Sequence, residues 1–159
     1  MRGQAAIEYL LIFSAVLVVF TAITITQIIT PASDAAKDSL YLSQARTAVD
    51  AIAGAINTVY ANGRGAVNSV GLQMDKSWTL QFDNTTNKLR ILVGISTGNE
   101  NVEDNLRYKI ESNHSLSNIA AGTYTVIVEW PENTNVQENI YGGALANKKI
   151  YIYIGSNGG

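Results

Sequence analysis

Residues 5–29 read AAIEYLLIFSAVLVVFTAITITQII, and one charged side chain, Glu8, interrupts them. A helix of about 25 residues, rising about 1.5 Å per residue, spans the roughly 30 Å hydrocarbon core of a bilayer. The run follows a short stretch with one basic residue, Arg2. Three uses fit such a run. A secretory signal has a shorter apolar stretch and a small-x-small cleavage site at its far end, and ITITQIITPAS is a poor cleavage region. A plain membrane anchor fits the length. The third use is a helix held first by lipid and later by copies of itself. Hydropathy by itself favours the anchor.

Working outward, Pro31 ends the apolar run and predicts a kink or a break, since it lacks an N–H and clashes with the preceding turn. Beyond it Leu40, Ala45, Ala48, Val49, Ile52, Ala55, Ile56 and Val59 recur at three- and four-residue spacing. Lys37, Asp38, Gln44, Arg46, Asp50 and Asn57 fall mostly between them, which predicts a one-sided helix. Ser33 or Asp34 is the expected cap if the helix restarts after Pro31. The expectation is one kinked helix from about Gln4 to Tyr60, or two collinear ones. Asn62-Gly63-Arg64-Gly65 closes it, with glycine where a left-handed C-cap is needed.

From there the period becomes two. Trp78, Leu80 and Phe82 alternate with Thr79 and Gln81, and Leu89, Ile91 and Val93 follow across the polar turn Asp83-Asn84-Thr85-Thr86-Asn87, predicting a hairpin. Leu106, Tyr108 and Ile110 predict a third strand. Tyr124, Val126, Val128 and Trp130 predict a fourth, stopped by Pro131. Ile150, Ile152 and Ile154 predict a fifth, with Tyr151 and Tyr153 on its other face. Strands without intervening helices favour an antiparallel arrangement. The predicted class is α+β: a long N-terminal hydrophobic helix over 4–61 (4–30 apolar throughout, 31–61 amphipathic), then an antiparallel β-sheet or sandwich head over 62–159.

Composition narrows the function. The 159 residues suit one head domain of ordinary size. A net charge of −2 provides no basic field for nucleic acid. The absence of cysteine removes disulfides, thiol catalysis and the commonest structural zinc sites. His114 is the sole histidine, so no metal site is expected. Asp34, Asp38 and Asp50 read as a solvated helix face, and Asp83 and Glu129 as isolated carboxylates. Gly63-Arg64-Gly65 and Gly142-Gly143 read as turns, not phosphate loops. No nucleophile with a neighbouring base stands out, so neither an enzyme nor a cofactor is predicted.

The first ten residues, MRGQAAIEYL, carry the functional signal. Glu8 within an apolar run requires a physical account. The first turns of a helix favour a negative charge by about 0.3–1 kcal/mol. Alternatively Glu8 pairs with a positive group in an apolar surround. If the chain is cut after Gly3, Gln4 supplies an α-amino group for that pair, in its own chain or a neighbour's.

Gly3, then Gln4, then Glu8-Tyr9, then a long apolar run resembles the class III signal of type IV prepilins. Gly-Gln-Ala-Ala-Ile-Glu-Tyr-Leu is similar to the archaeal adhesion-pilus subset. The resemblance covers about thirty residues and does not extend to the head. It implies removal of residues 1–3 by a prepilin peptidase between Gly3 and Gln4, and a role in assembly for Gln4, Glu8 and Tyr9. It implies as partners a membrane before assembly, then identical subunits in a helical homopolymer, with an assembly platform and its ATPase. The small residues Ala5, Ala6, Ser14, Ala15 and Ala22 permit close helix approach. The resulting expectation is a structural subunit of an extracellular filament on the cell surface, serving attachment. A minor pilin or tip adhesin shares the same N-terminus. A monomeric membrane-anchored extracellular binding domain, or an anchored hydrolase, predicts an uncleaved one. Two N-glycosylation triplets, Asn84-Thr85-Thr86 and Asn113-His114-Ser115, lie in predicted polar turns. Asn84, at a hairpin tip, is the better candidate.

Overall fold

A computed structural model describes residues 2–109, 114–132, 144–147 and 150–156. Ile110, Asn113 and Gly142-Gly143 lie outside the described residues. The chain has an α+β architecture and falls into two compact units, Met1–Ser39 and Leu40–Gly159.

Helical backbone comprises α1 (Arg2–Thr24), a π-helical turn (Ile25–Ile29) and α2 (Thr30–Asn62). The interruption expected at Pro31 is therefore a widened turn just before it, not a break. Pro31 stands second in α2, where its missing N–H and its ring are accommodated by the irregular turn that precedes them. Because the helix does not restart, the expected capping by Ser33 or Asp34 is not found. Asp34 instead lies 3.9 Å from Lys37 one turn on. At the far end the left-handed cap forms as expected. Gly63 takes φ 82°, and its N–H donates to the Val59 carbonyl at 3.0 Å.

The second unit surrounds the amphipathic helix with two four-stranded antiparallel sheets. One has the order β1 (Val67–Met74), β6 (Gly122–Glu129), β8 (Ile150–Ser156), β7 (Ala144–Asn147). The other has the order β4 (Gly98–Asn105), β3 (Lys88–Ile95), β2 (Trp78–Asp83), β5 (His114–Ile119). Both contribute to a single apolar core with α2. Ala45, Ala48, Val49, Ile52, Ala53, Ala55, Ile56 and Val59 are the buried helix positions. The four alanines among them keep the helix slim, so residues of both sheets reach the same core. Leu72, Met74, Val126, Val128, Ile152 and Ile154 enter from one sheet, and Trp78, Leu80, Leu89, Ile91 and Val93 from the other. Leu40, expected in the stripe, is instead 49% exposed.

The predicted hairpin is present, in register from Trp78↔Val93 to Asp83↔Lys88. In the described part of the predicted strand over Leu106, Tyr108 and Ile110, residues 106–109, no strand forms. Leu106 and Tyr108 are buried, but their segment pairs with no strand. Its backbone is bound elsewhere: Leu106 N–H donates to the Asn87 carbonyl at 3.0 Å, and Arg107 N–H to Asn57 Oδ1 at 2.7 Å. Alternation there reflected side chains dipping into the core, not a ladder. The strand lies one step earlier, in the polar stretch GNENVEDN of β4. As an edge strand with no residue fully buried, β4 shows no apolar period. Among the described residues there are eight strands, and β1, β5 and β7 also escape the alternation test.

Candidate assembly helix

The apolar run forms α1 and the π-turn, and its large side chains are exposed among the described residues. Tyr9, Leu10, Ile12, Phe13, Val18 and Phe20 all keep more than half their surface, with Tyr9 at 75%. The helix is long and apolar enough to cross a membrane, and none of its most apolar stretch is buried. It fits membrane insertion.

Its polar side chains are arranged accordingly. Ser14 Oγ donates to the Leu11 carbonyl at 2.9 Å, Thr21 Oγ1 to Leu17 at 2.8 Å and Thr24 Oγ1 to Phe20 at 2.9 Å. Thr26 Oγ1 donates to Ala22 at 2.9 Å and Thr30 Oγ1 to Ile25 at 3.0 Å. Each hydroxyl thus satisfies its donor within the helix, so these positions enter an apolar surround without an unpaired O–H.

Gly3 and Gln4 lie in the helical backbone of α1, and Gln4, Glu8 and Tyr9 are exposed. Gln4 and Glu8 are one turn apart and share a face. Glu8 has no ion-pair partner among the described residues. In the uncut chain Gln4 carries an amide, so the amine that would face Glu8 exists only after cleavage. Sequence reading missed one polar residue of this run, Gln27, which sits in the π-turn. Pro31 was the available signal for that irregularity.

In the head, Asn84 stands exposed at the β2–β3 apex with Thr85 and Thr86. Asp83 is not isolated. Its Oδ1 accepts from Thr85 N–H at 2.8 Å and Thr86 N–H at 3.3 Å, and its Oδ2 from Thr86 Oγ1 at 2.9 Å. Arg90 Nη2 lies 2.9 Å from Oδ2. The Thr86 hydroxyl, then the Thr85 amide, with Arg90 adding its charge, hold the Asp83 carboxyl below its ordinary range. Arg90 Nε also reaches Glu103 Oε2 at 3.0 Å, and Lys88 bonds the other carboxylate oxygen. Lys88 and Arg90 together lower the Glu103 carboxyl as well. This cross-strand ladder sets the carboxylates of Asp83 and Glu103 against the cations of Arg90 and Lys88. His114 stands beside it, lining a shallow polar hollow with Gln81, Asp83 and Arg90. No group of residues suited to a metal ion occurs among the described residues.

No family model, curated protein or solved structure matches the chain.

Proposed function

We propose that the protein is a structural subunit of an extracellular, type IV pilus-like filament and polymerises through its N-terminal helix. The observation that supports this most is the helix itself. Fifteen large apolar side chains stand exposed between Ile7 and Ile29, every serine and threonine hydroxyl of the run is bonded inward, and the one carboxylate, Glu8, lies one turn beyond the Gly3-Gln4 junction. An apolar surface of that size requires lipid or other copies of the helix around it.

In this reading lipid contacts are exchanged for helix–helix contacts, and Glu8 is partnered by the Gln4 amine of its own or a neighbouring chain. Repeated head-to-tail contacts that do not close generate a filament. The filament serves surface attachment, and the head domains face the medium. Asn84 is then the position where a glycan is accommodated, on an exposed apex.

Intact-mass measurement of the protein from cells tests the reading, since an N-terminal glutamine cyclises and blocks sequencing. The expected mass corresponds to a chain beginning at Gln4, with any glycan mass assigned to Asn84 by peptide mapping. A chain retaining Met1, or cut near Ser33, overturns the filament reading and favours a monomeric anchored domain.

A further inference from the structure

The turn between β2 and β3 carries the triplet Asn84-Thr85-Thr86 and holds it shut. Asp83 Oδ1 accepts from the N–H groups of Thr85 at 2.8 Å and Thr86 at 3.3 Å, and its Oδ2 accepts from Thr86 Oγ1 at 2.9 Å. Arg90 Nη2, 2.9 Å from the same Oδ2, fixes the carboxylate from its other side. The far end of the turn is anchored as well. Asn87 takes φ 58°, its carbonyl accepts from Leu106 N–H at 3.0 Å, and its Nδ2 donates to the Leu106 carbonyl. The triplet is therefore part of a closed turn, not a loose loop.

A triplet of this kind accepts a glycan when its third residue is serine or threonine. What those two residues have in common is a hydroxyl on Cβ, so the hydroxyl is the group the transferring enzyme must reach. In the folded turn the Thr86 hydroxyl is already given to a carboxylate. Hydrogen bonds to an ionised oxygen are roughly twice as strong as neutral ones. The three bonds to Asp83 have to open together before the triplet can be drawn into an enzyme's site. None of the three runs through the Asn84 side chain, and Asn84 is exposed, so a glycan already in place is compatible with the closed turn.

We propose that the β2–β3 turn gates the modification of Asn84: the triplet accepts a glycan only before the hairpin closes, and Asp83 is the residue that shuts it. The proposal rests on the reading of Asn84 as a glycan site and adds when that site is filled. In the transfer, a bond forms between Asn84 Nδ2 and C1 of a sugar carried on a lipid phosphate. The bond from C1 to the phosphate oxygen breaks, and the phosphate keeps the electron pair and takes the amide proton. The time available is short. A two-stranded hairpin alone is marginal in water. The contacts that fix this one, Glu103 with Arg90 and Leu106 with Asn87, come from later in the chain. At about 5–20 residues per second of synthesis they follow Asn84 by roughly 1–4 s.

The full-length chain is made in cells without the transfer enzyme and purified in detergent. It is then incubated with membranes of the native cells, which hold the enzyme and its lipid-linked sugar. Trypsin releases residues 77–88, bounded by Lys76 and Lys88, and their mass gives the occupancy of Asn84. A synthetic peptide of the same residues, which lacks β3, serves as the open triplet. The peptide is expected to be filled, the folded chain roughly tenfold less, and Asp83→Ala to within about threefold of the peptide. Arg90→Gln weakens the same ladder but keeps the three bonds to Asp83, so it is expected to stay closed, whereas loss of folding opens both variants. A folded chain filled as fast as the peptide overturns the gate alone. So does Asp83→Ala no more reactive than the parent, or Arg90→Gln as reactive as Asp83→Ala. A peptide left unmodified by membranes that modify a control acceptor overturns the Asn84 reading, and the gate with it.

Discussion

Gln44 and Asp75 are joined twice: Gln44 Nε2 donates to Asp75 Oδ2 at 2.8 Å, and the Asp75 N–H donates to Gln44 Oε1 at 3.0 Å. The pair ties the polar edge of α2 to the turn leaving β1. Asn57 does the same further along, accepting from Arg107 N–H, and Arg46 Nη1 donates to the Glu103 carbonyl at 3.2 Å. The polar face of α2 thus bonds the margins of the sheets while its apolar face fills the core.

Gln44→Ala removes both bonds of the first tie. Each exposed hydrogen bond is worth about 0.5–1.5 kcal/mol, so a loss of roughly 1–2 kcal/mol is expected. Urea unfolding of a soluble chain beginning near Pro31 measures it. That chain is expected to be monomeric and rich in β structure by circular dichroism. A mostly helical spectrum contradicts the architecture.

Ile52 and Leu40 lie on one helix and were grouped in one stripe by spacing, yet only Ile52 is buried completely. Ile52→Ala is expected to cost about 2–5 kcal/mol, and Leu40→Ala under about 1 kcal/mol. Equal losses in the same unfolding assay contradict the core described above.

Acid tests the ladder. Asp83 and Glu103 both titrate below their ordinary range in the folded head. A carboxyl lowered by folding adds stability above its unfolded pKa, and that stability is lost as pH falls through the folded value. Stability is therefore expected to decline below about pH 4. Asp83→Asn with Glu103→Gln is expected to flatten that decline by lowering stability at pH 7 and converging on the parent in acid, in thermal melts run at each pH. An unchanged acid slope rules the ladder out as its source.

Glu8 separates an anchor from a filament subunit. In lipid, a carboxylate is the costly group, so Glu8→Ala eases insertion. In a packed bundle the substitution leaves the Gln4 amine without its partner, and breaking a buried pair costs about 3–5 kcal/mol. Normal membrane levels with few or no filaments are expected, and Glu8→Asp is expected to be intermediate. Filament yield in sheared fractions, against membrane-bound protein, is the measurement. Undiminished filaments from Glu8→Ala show the pair to be dispensable.

The apolar run, the amphipathic helix, the glycine cap at Gly63 and the Trp78–Val93 hairpin were legible in the sequence. Each depends on local chemistry: hydrophobic periodicity, a left-handed φ that glycine accepts, a polar turn between alternating runs. The signature around Gly3, Gln4, Glu8 and Tyr9 was equally local. Tertiary structure decided the rest. Alternation at Leu106 and Tyr108 mimicked a strand, because buried side chains keep the same period whether or not their backbone joins a ladder. β4 stayed hidden because an edge strand with both faces largely wet needs no apolar residues; its evidence is the register of its backbone with β3. Leu40 and Ile52 share a spacing, but only the positions beside both sheets are covered. Asp83 looked solitary until the hairpin and β4 placed it in the Arg90–Glu103 ladder, since cross-strand neighbours are distant in sequence. The π-turn stands between the two kinds of information. Pro31 announced an irregularity, but only the backbone pairing shows that it takes the form of a widened turn with the Thr30 N–H on the Ile25 carbonyl, because hydrogen-bond register is a property of the folded chain.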